Sequence, residues 1–70
     1  MSTNTVIKCR KVTVYTTDSG AFIFYSAIVI SSKKTNTITI KEEYTHATFN
    51  FSYVVCVQIE DPEEVKDEEV

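Results

Sequence analysis

The sequence predicts an all-β fold, in which a single small domain of about four antiparallel strands forms a meander, closes like a barrel or is completed by oligomerisation. Threonine, valine, isoleucine, tyrosine and phenylalanine are frequent and leucine is absent, and β-branched and aromatic side chains favour strands. The first 59 residues contain one glycine and no proline, so long strands and few turns are expected. Seventy residues, or 8.0 kDa, leave room for one domain.

The first strand is predicted over residues 5–16. Ile7 and Cys9 share one phase of the alternation, whereas Val12 and Val14 share the other. A strand with a period of two residues cannot bury both sets on one face. We therefore expect a β-bulge, or a crossing of the strand between two faces, near Arg10 and Lys11.

A hairpin turn and a central strand are predicted next. Asp18 and Gly20 are typical of a tight turn, because aspartate starts turns and glycine accepts a positive φ. Residues 21–32 are apolar in both phases, which is typical of a strand covered on both faces. Asn36 is the expected left-handed residue of the following turn.

The second half of the chain predicts two more strands. Residues 37–41 alternate with Ile38 and Ile40 inward, residues 42–46 read as a loop or bend, and residues 47–59 read as a fourth strand. One face of that strand is expected to carry Phe49, Phe51, Tyr53, Val55, Val57 and Ile59. Thirteen extended residues span roughly 43 Å, whereas a compact chain of this length is about 28 Å across. The fourth strand must therefore bend or reach beyond its own subunit.

The charges divide the chain into a β domain, residues 1–59, and an acidic tail, residues 60–70. The net charge is −3, yet the domain carries six bases against three acids, whereas the tail carries seven acids against one base. Asp61 before Pro62 is typical of a helix start, so we expect a short helical turn or a simple tail there.

Enzymatic chemistry is not expected from this set of residues. The single histidine, His46, would have to serve Cys9 or Cys56 as a base, and Cys56 lies in an apolar strand that keeps a thiol inert. Glu42 and Glu43 are adjacent, so they point to opposite faces of a strand. Neither a phosphate-binding glycine loop nor metal-ligand spacing is present, and we expect no cofactor and no metal.

The expected compartment is the cytoplasm, or the host cytoplasm if the protein is viral. The first residues lack the pattern of a signal peptide, and no apolar run approaches the roughly 20 residues of a membrane-spanning helix. Two reduced thiols are therefore expected. A disulfide between Cys9 and Cys56 would require the first and last strands to be neighbours.

The composition favours a non-enzymatic protein-interaction module that self-associates, most simply as a dimer, and binds a further protein partner. A core this small supplies only about 3–5 kcal/mol, and oligomerisation is a common remedy. Small solitary domains of this kind are frequent among viral and mobile-element proteins, which suggests a modulator of a host macromolecule. The tail would then imitate nucleic acid through its acids, namely Glu63, Glu64, Asp67, Glu68 and Glu69.

The alternative is a small β-barrel that binds single-stranded nucleic acid, with the acidic tail as an internal competitor. Such binding needs a positive surface and aromatic rings on which bases stack. The candidate contact residues, for nucleic acid or for a protein partner, are Lys8, Arg10, Lys11, Lys33 and Lys34. The two hypotheses differ on whether Phe22 and Phe24 are accessible to solvent.

Overall fold

The protein forms one open antiparallel sheet, seen in a computed structural model that describes residues 4–64. Its strands are β1 (Asn4–Thr16), β2 (Gly20–Ser32), β3 (Thr37–Lys41), β4 (His46–Asn50), β5 (Val54–Glu60) and the two-residue β6 (Glu63–Glu64). They lie in the order β4-β3-β2-β1-β5, and β6 also pairs with β1. The prediction of an all-β antiparallel domain is confirmed, with five main strands in place of about four.

The long hairpin of β1 and β2 forms the centre of the sheet. It pairs along its whole length, from Thr16 opposite Gly20 to Asn4 opposite Ser32. Gly20 has a φ of +83°, as expected for the turn. The Thr16 hydroxyl accepts a hydrogen bond from the Ser19 amide and donates one to the Gly20 carbonyl, both at 3.2 Å. These bonds tie the turn to the end of β1.

The phase change predicted near Arg10 and Lys11 occurs at a break in this hairpin. The ladder omits Arg10 and the facing Ser26, although the register on either side of them is the same. Ser26 has a φ of +51°, which is unusual for a residue inside a strand. Buried side chains shift from Cys9 to Val12 across the break. The feature is therefore a crossing between faces and not a one-sided β-bulge.

The prediction that residues 47–59 form a single fourth strand is wrong. It is broken by a 3-10 helix, Phe51–Tyr53, into β4 and β5. The Asn50 side chain accepts a hydrogen bond from the Ser52 amide at 2.8 Å and so caps this turn. The expected length conflict is resolved by the bend, since the longest dimension of the described chain is 35 Å.

The 3-10 helix also changes which side chains face inward. Tyr53 and Val55, predicted to share one face with Phe49, Phe51, Val57 and Ile59, are 58% and 65% exposed, whereas the other four are partly buried against the core. A register shift between Tyr15 and Thr16 leaves Val55 without a partner in β1 and places Val54 opposite Thr16. The helix joins the two outermost strands through only three residues, so the sheet must curl strongly.

The core lies on the concave side of this curled sheet. Ile38 and Ile40 face inward as predicted, at 2% and 0% exposure. The buried residues of the core cluster are Cys9, Val12, Val14, Ala27, Val29, Ile38 and Ile40. Partly buried rings, among them Phe24, Phe49 and Phe51, pack against it. Curling thus lets one sheet cover its own concave face without a second layer.

The beginning of the acidic tail adds a strand and no helix. Glu63 and Glu64 pair with Lys8 and Ile7 of β1, and the preceding Asp61 has a φ of +53°. The helical turn expected after Pro62 is therefore not shown in residues 61–64. The remainder of that prediction, residues 65–70, lies outside the described residues. Within the described chain, no helix has the length and apolar character needed to cross a membrane.

Candidate interaction surfaces

Two of the five predicted basic contact residues lie together, and they face acids at the start of the tail. Arg10 Nε lies 2.6 Å from Asp61 Oδ2, and Arg10 Nη2 lies 3.5 Å from Glu60 Oε1. Lys11 Nζ is 3.9 Å from Glu60 Oε2. Hydrogen bonding to Asp61 raises the pKa of the Arg10 guanidinium. The Arg10 guanidinium is solvated, so these ion pairs contribute little to stability and mainly neutralise the charge in the middle of β1.

The other predicted contact residues lie apart from this charged cluster. Lys8 pairs in register with Glu63, whereas Lys33 and Lys34 are exposed in the turn between β2 and β3. Among the predicted tail residues, the backbone of Glu64 is described, but Asp67, Glu68 and Glu69 lie outside the described residues. The structure therefore does not unite the five bases into one patch.

A cleft with aromatic walls opens beside the tip of the β1–β2 hairpin, and we call it the hairpin-tip cleft. Its volume is about 380 Å³, and it is lined by Thr16, Asp18, Ser19, Phe22, Phe49 and Tyr53. The Phe22 and Phe49 ring centroids are 5.2 Å apart, with an angle of 60° between the ring planes. The Thr17 amide donates a hydrogen bond to the Tyr53 carbonyl at 3.0 Å, which holds the 3-10 helix against the hairpin.

Sequence reasoning missed this cleft. Phe22 was expected either in the core or on a stacking surface, yet it is 38% exposed at the cleft, whereas Phe24 is half-buried against the core. The position of Tyr53 depends on the 3-10 helix, which the alternating pattern of residues 47–59 concealed. Asn50 carried the available signal, because an asparagine side chain can accept a hydrogen bond from the backbone amide two residues on and so favour a local turn.

The convex side of the central strands presents a second surface, the outer face, defined by Tyr15, Ile23 and Tyr25. These side chains are 37%, 50% and 58% exposed. The pairing register arranges the outer face in three rows of residues, and each row runs from β5 through β1 to β2. The rows are Cys56–Tyr15–Ala21, Gln58–Thr13–Ile23 and Glu60–Lys11–Tyr25. The first two rows contain no charged side chain, and the third carries one charge of each sign.

Several contacts fix the rows of the outer face. The Tyr15 hydroxyl donates a hydrogen bond to Gln58 Oε1 at 3.1 Å. Lys11 Nζ lies 5.8 Å from the centre of the Tyr25 ring, within the range of a cation–π contact. The Tyr25 amide donates to Glu42 Oε2 at 2.9 Å, which connects β2 to the loop after β3. The two tyrosine side chains of the outer face therefore each have a neighbouring side chain that favours their position.

The two thiols lie in different environments and do not form a disulfide. Cys9 is buried, which raises its pKa, and its Sγ lies 3.7 Å from the Ala27 carbonyl oxygen. Cys56 is exposed and faces Tyr15. The first and last main strands are indeed neighbours, but six positions of β1 separate Tyr15 from Cys9, far beyond bridging distance.

The chemical candidates are likewise dispersed. His46 lies in β4 opposite Lys41, whereas the thiols belong to β1 and β5. Among residues 4–64, no group of three or more histidine, cysteine, aspartate or glutamate side chains is arranged to hold a metal ion. Comparison with protein-family models, curated proteins and solved structures finds no match. The hairpin-tip cleft and the outer face are the features of the described chain that suit binding.

Proposed function

We propose that this chain is a non-enzymatic protein-interaction module that self-associates through its outer face. The observation that carries the proposal is the exposure of Tyr15, Ile23 and Tyr25 on neighbouring strands at the centre of the sheet. Exposed apolar groups that form a contiguous patch are typical of interaction sites, whereas single ones are not. No helix within residues 4–64 covers this patch.

A second copy of the chain is the occupant that the outer face suits best. A two-fold interface brings the same patch of both copies together, so the patch must not carry charges of one sign. The rows of Tyr15 and Ile23 are uncharged, and the third row carries Lys11 beside Glu60. Packing two such faces would also add apolar burial to a core that is small by itself.

The first test is the concentration dependence of the molecular mass of the reduced protein, measured by light scattering. We expect a dimer that dissociates on dilution. Ile23→Thr keeps a β-branched side chain but removes apolar area from both copies, so the dissociation constant should rise by roughly tenfold or more. Val55→Thr is the matched control, since Val55 is 65% exposed but has no partner in β1 and belongs to none of the rows of the outer face. A wild-type chain that stays monomeric at high micromolar concentration would contradict the proposal.

A second candidate function, binding of single-stranded nucleic acid, is favoured by one specific observation. The carboxylates of Glu60 and Asp61 form ion pairs with Arg10 and Lys11. An internal competitor for phosphate would form such pairs. Phosphate binding relies on such basic side chains and is strongly salt-dependent. Lys33 and Lys34 count against nucleic-acid binding, because they lie in the turn between β2 and β3 and not beside Arg10 and Lys11.

Release of the two bases from Glu60 tests this second function in the full-length chain. If it is correct, Glu60→Gln should strengthen binding of a mixed-sequence single-stranded oligonucleotide, measured by fluorescence anisotropy at low salt. Asp18→Asn makes the same change from carboxylate to amide in the exposed hairpin turn, beyond Thr16 and more than six positions along the chain from Arg10, and should have a smaller effect. Equal effects of the two variants would show a general charge effect and count against a competitor.

A further inference from the structure

We propose that the hairpin-tip cleft binds a cationic side chain, an ammonium or guanidinium group, of a partner protein. The cleft combines three aromatic side chains, Phe22, Phe49 and Tyr53, with one carboxylate, Asp18. This site is separate from the outer face and does not depend on self-association. It would make the chain a reader of basic side chains.

The arrangement of the rings supports a cation. Phe22 and Phe49 meet edge to face at 5.2 Å, so the two ring planes form a corner and not a closed stack. Aromatic faces carry negative electrostatic potential, and a cation within about 6 Å of a ring centroid is attracted to it. Tyr53 also lines the cleft and is 58% exposed, so it adds a further ring that remains available to a ligand.

The charge of the cleft also favours a cation. Among the described residues, Asp18 is the one charged side chain that lines the cleft, and its carboxylate makes no hydrogen bond or ion pair with them. The Thr16 hydroxyl bonds the Ser19 amide and the Gly20 carbonyl, so the turn that carries Asp18 is fixed before a ligand arrives. Fixed groups bind at a lower entropic cost than mobile ones.

The same features disfavour an uncharged apolar occupant. Such a ligand would cover the Asp18 carboxylate without offering a hydrogen bond or a counter-charge, and desolvation of an unpaired charge is costly. An anionic occupant would meet repulsion from Asp18. At about 380 Å³, the cleft accommodates the end of a long side chain, including a methylated ammonium group, whose weaker hydration suits aromatic walls.

The experiment is a titration of the full-length protein, observed through the NMR signals of the aromatic rings. The probes are short peptides of one sequence that contain lysine, trimethyllysine, arginine or the neutral norleucine at a single position. We expect the rings of the cleft to shift with at least one cationic peptide and not with the norleucine peptide. The three cationic probes distinguish an ammonium, a quaternary ammonium and a guanidinium ligand.

Two variants assign the binding to the cleft. Asp18→Asn keeps the shape of the side chain but removes its charge, and Phe22→Leu keeps apolar volume but removes the ring. Each should weaken binding roughly threefold to tenfold, the range expected for one cation–π or exposed charge interaction. Tyr44→Leu is the matched control, because Tyr44 is an aromatic residue 88% exposed outside the cleft.

Three results would overturn the proposal. They are equal binding of the norleucine peptide, unchanged binding by Asp18→Asn, and the absence of any ring shift with all three cationic peptides. Asp18 is an exposed turn residue, so its variant should fold even if Phe22→Leu does not. Light scattering on Asp18→Asn separates the two functions, since the dimer is expected to survive the loss of cation binding.

Discussion

Replacement of Ile40 by alanine is expected to bring the protein close to complete unfolding at 25 °C. Ile40 is fully buried in β3, where it pairs with Val29 of β2 and Ala47 of β4. Substitution of a buried isoleucine by alanine costs about 2–5 kcal/mol, and a core of this size supplies only about 3–5 kcal/mol. The measurement is urea unfolding followed by circular dichroism, which gives the free energy of unfolding of both proteins.

Ile28→Ala is the matched control for this substitution. The change in side-chain volume is the same, but Ile28 is 37% exposed on β2. We expect its cost to be well under half that of Ile40→Ala, because it loses less buried area and leaves no closed cavity. Equal losses at the two positions would show that the concave side of the sheet is not the core.

Substitutions at Ser26 should have the second largest effect and should reverse the usual ranking of residues in a strand. Ser26 has a φ of +51° in the middle of β2. Valine, a strong strand former, is expected to lower the free energy of unfolding by about 1–2 kcal/mol because its branched side chain disfavours this conformation. Glycine adopts it readily, so Ser26→Gly should match or exceed the wild-type stability.

The control for Ser26 is a second serine of the same strand, the partly exposed Ser31. Ser31→Val and Ser31→Gly, in the regularly paired part of β2, should follow the normal order, with valine above glycine. The measurement is thermal unfolding of the four variants, which ranks valine against glycine at each position. If Ser26→Val were the more stable variant of its pair, the break opposite Arg10 would not be a property of the folded chain.

Much of this fold could be predicted because its elements depend on short-range chemistry. The turn at Gly20, the left-handed Asn36 and the inward face of β3 all follow from local residue preferences, and each is confirmed. The 3-10 helix at residues 51–53 could not be recognised from the alternating pattern. A capping bond from Asn50 competes there with strand pairing, and the curvature of the whole sheet decides the outcome.

The candidate sites were less predictable than the strands. The sequence identified the basic residues of β1, but not that Arg10 lies 2.6 Å from Asp61. It identified Phe22 and Phe49 as aromatic strand residues, but not that their rings meet beside Asp18 and Tyr53. These contacts join positions far apart in the chain, and a single sequence carries no measure of such distances.

The sequence by itself determined an antiparallel all-β chain with a basic body and an acidic tail, because residue type controls strand propensity and charge. The tertiary structure alone decided where the last strand lies. Once the 3-10 helix turns the chain at residues 51–53, β5 pairs with β1 and brings Cys56 opposite Tyr15, six positions from Cys9. The same turn places Tyr53 at the hairpin tip. Curvature of the sheet, a collective property of all its pairs, therefore creates both the aromatic cleft and the exposed outer face.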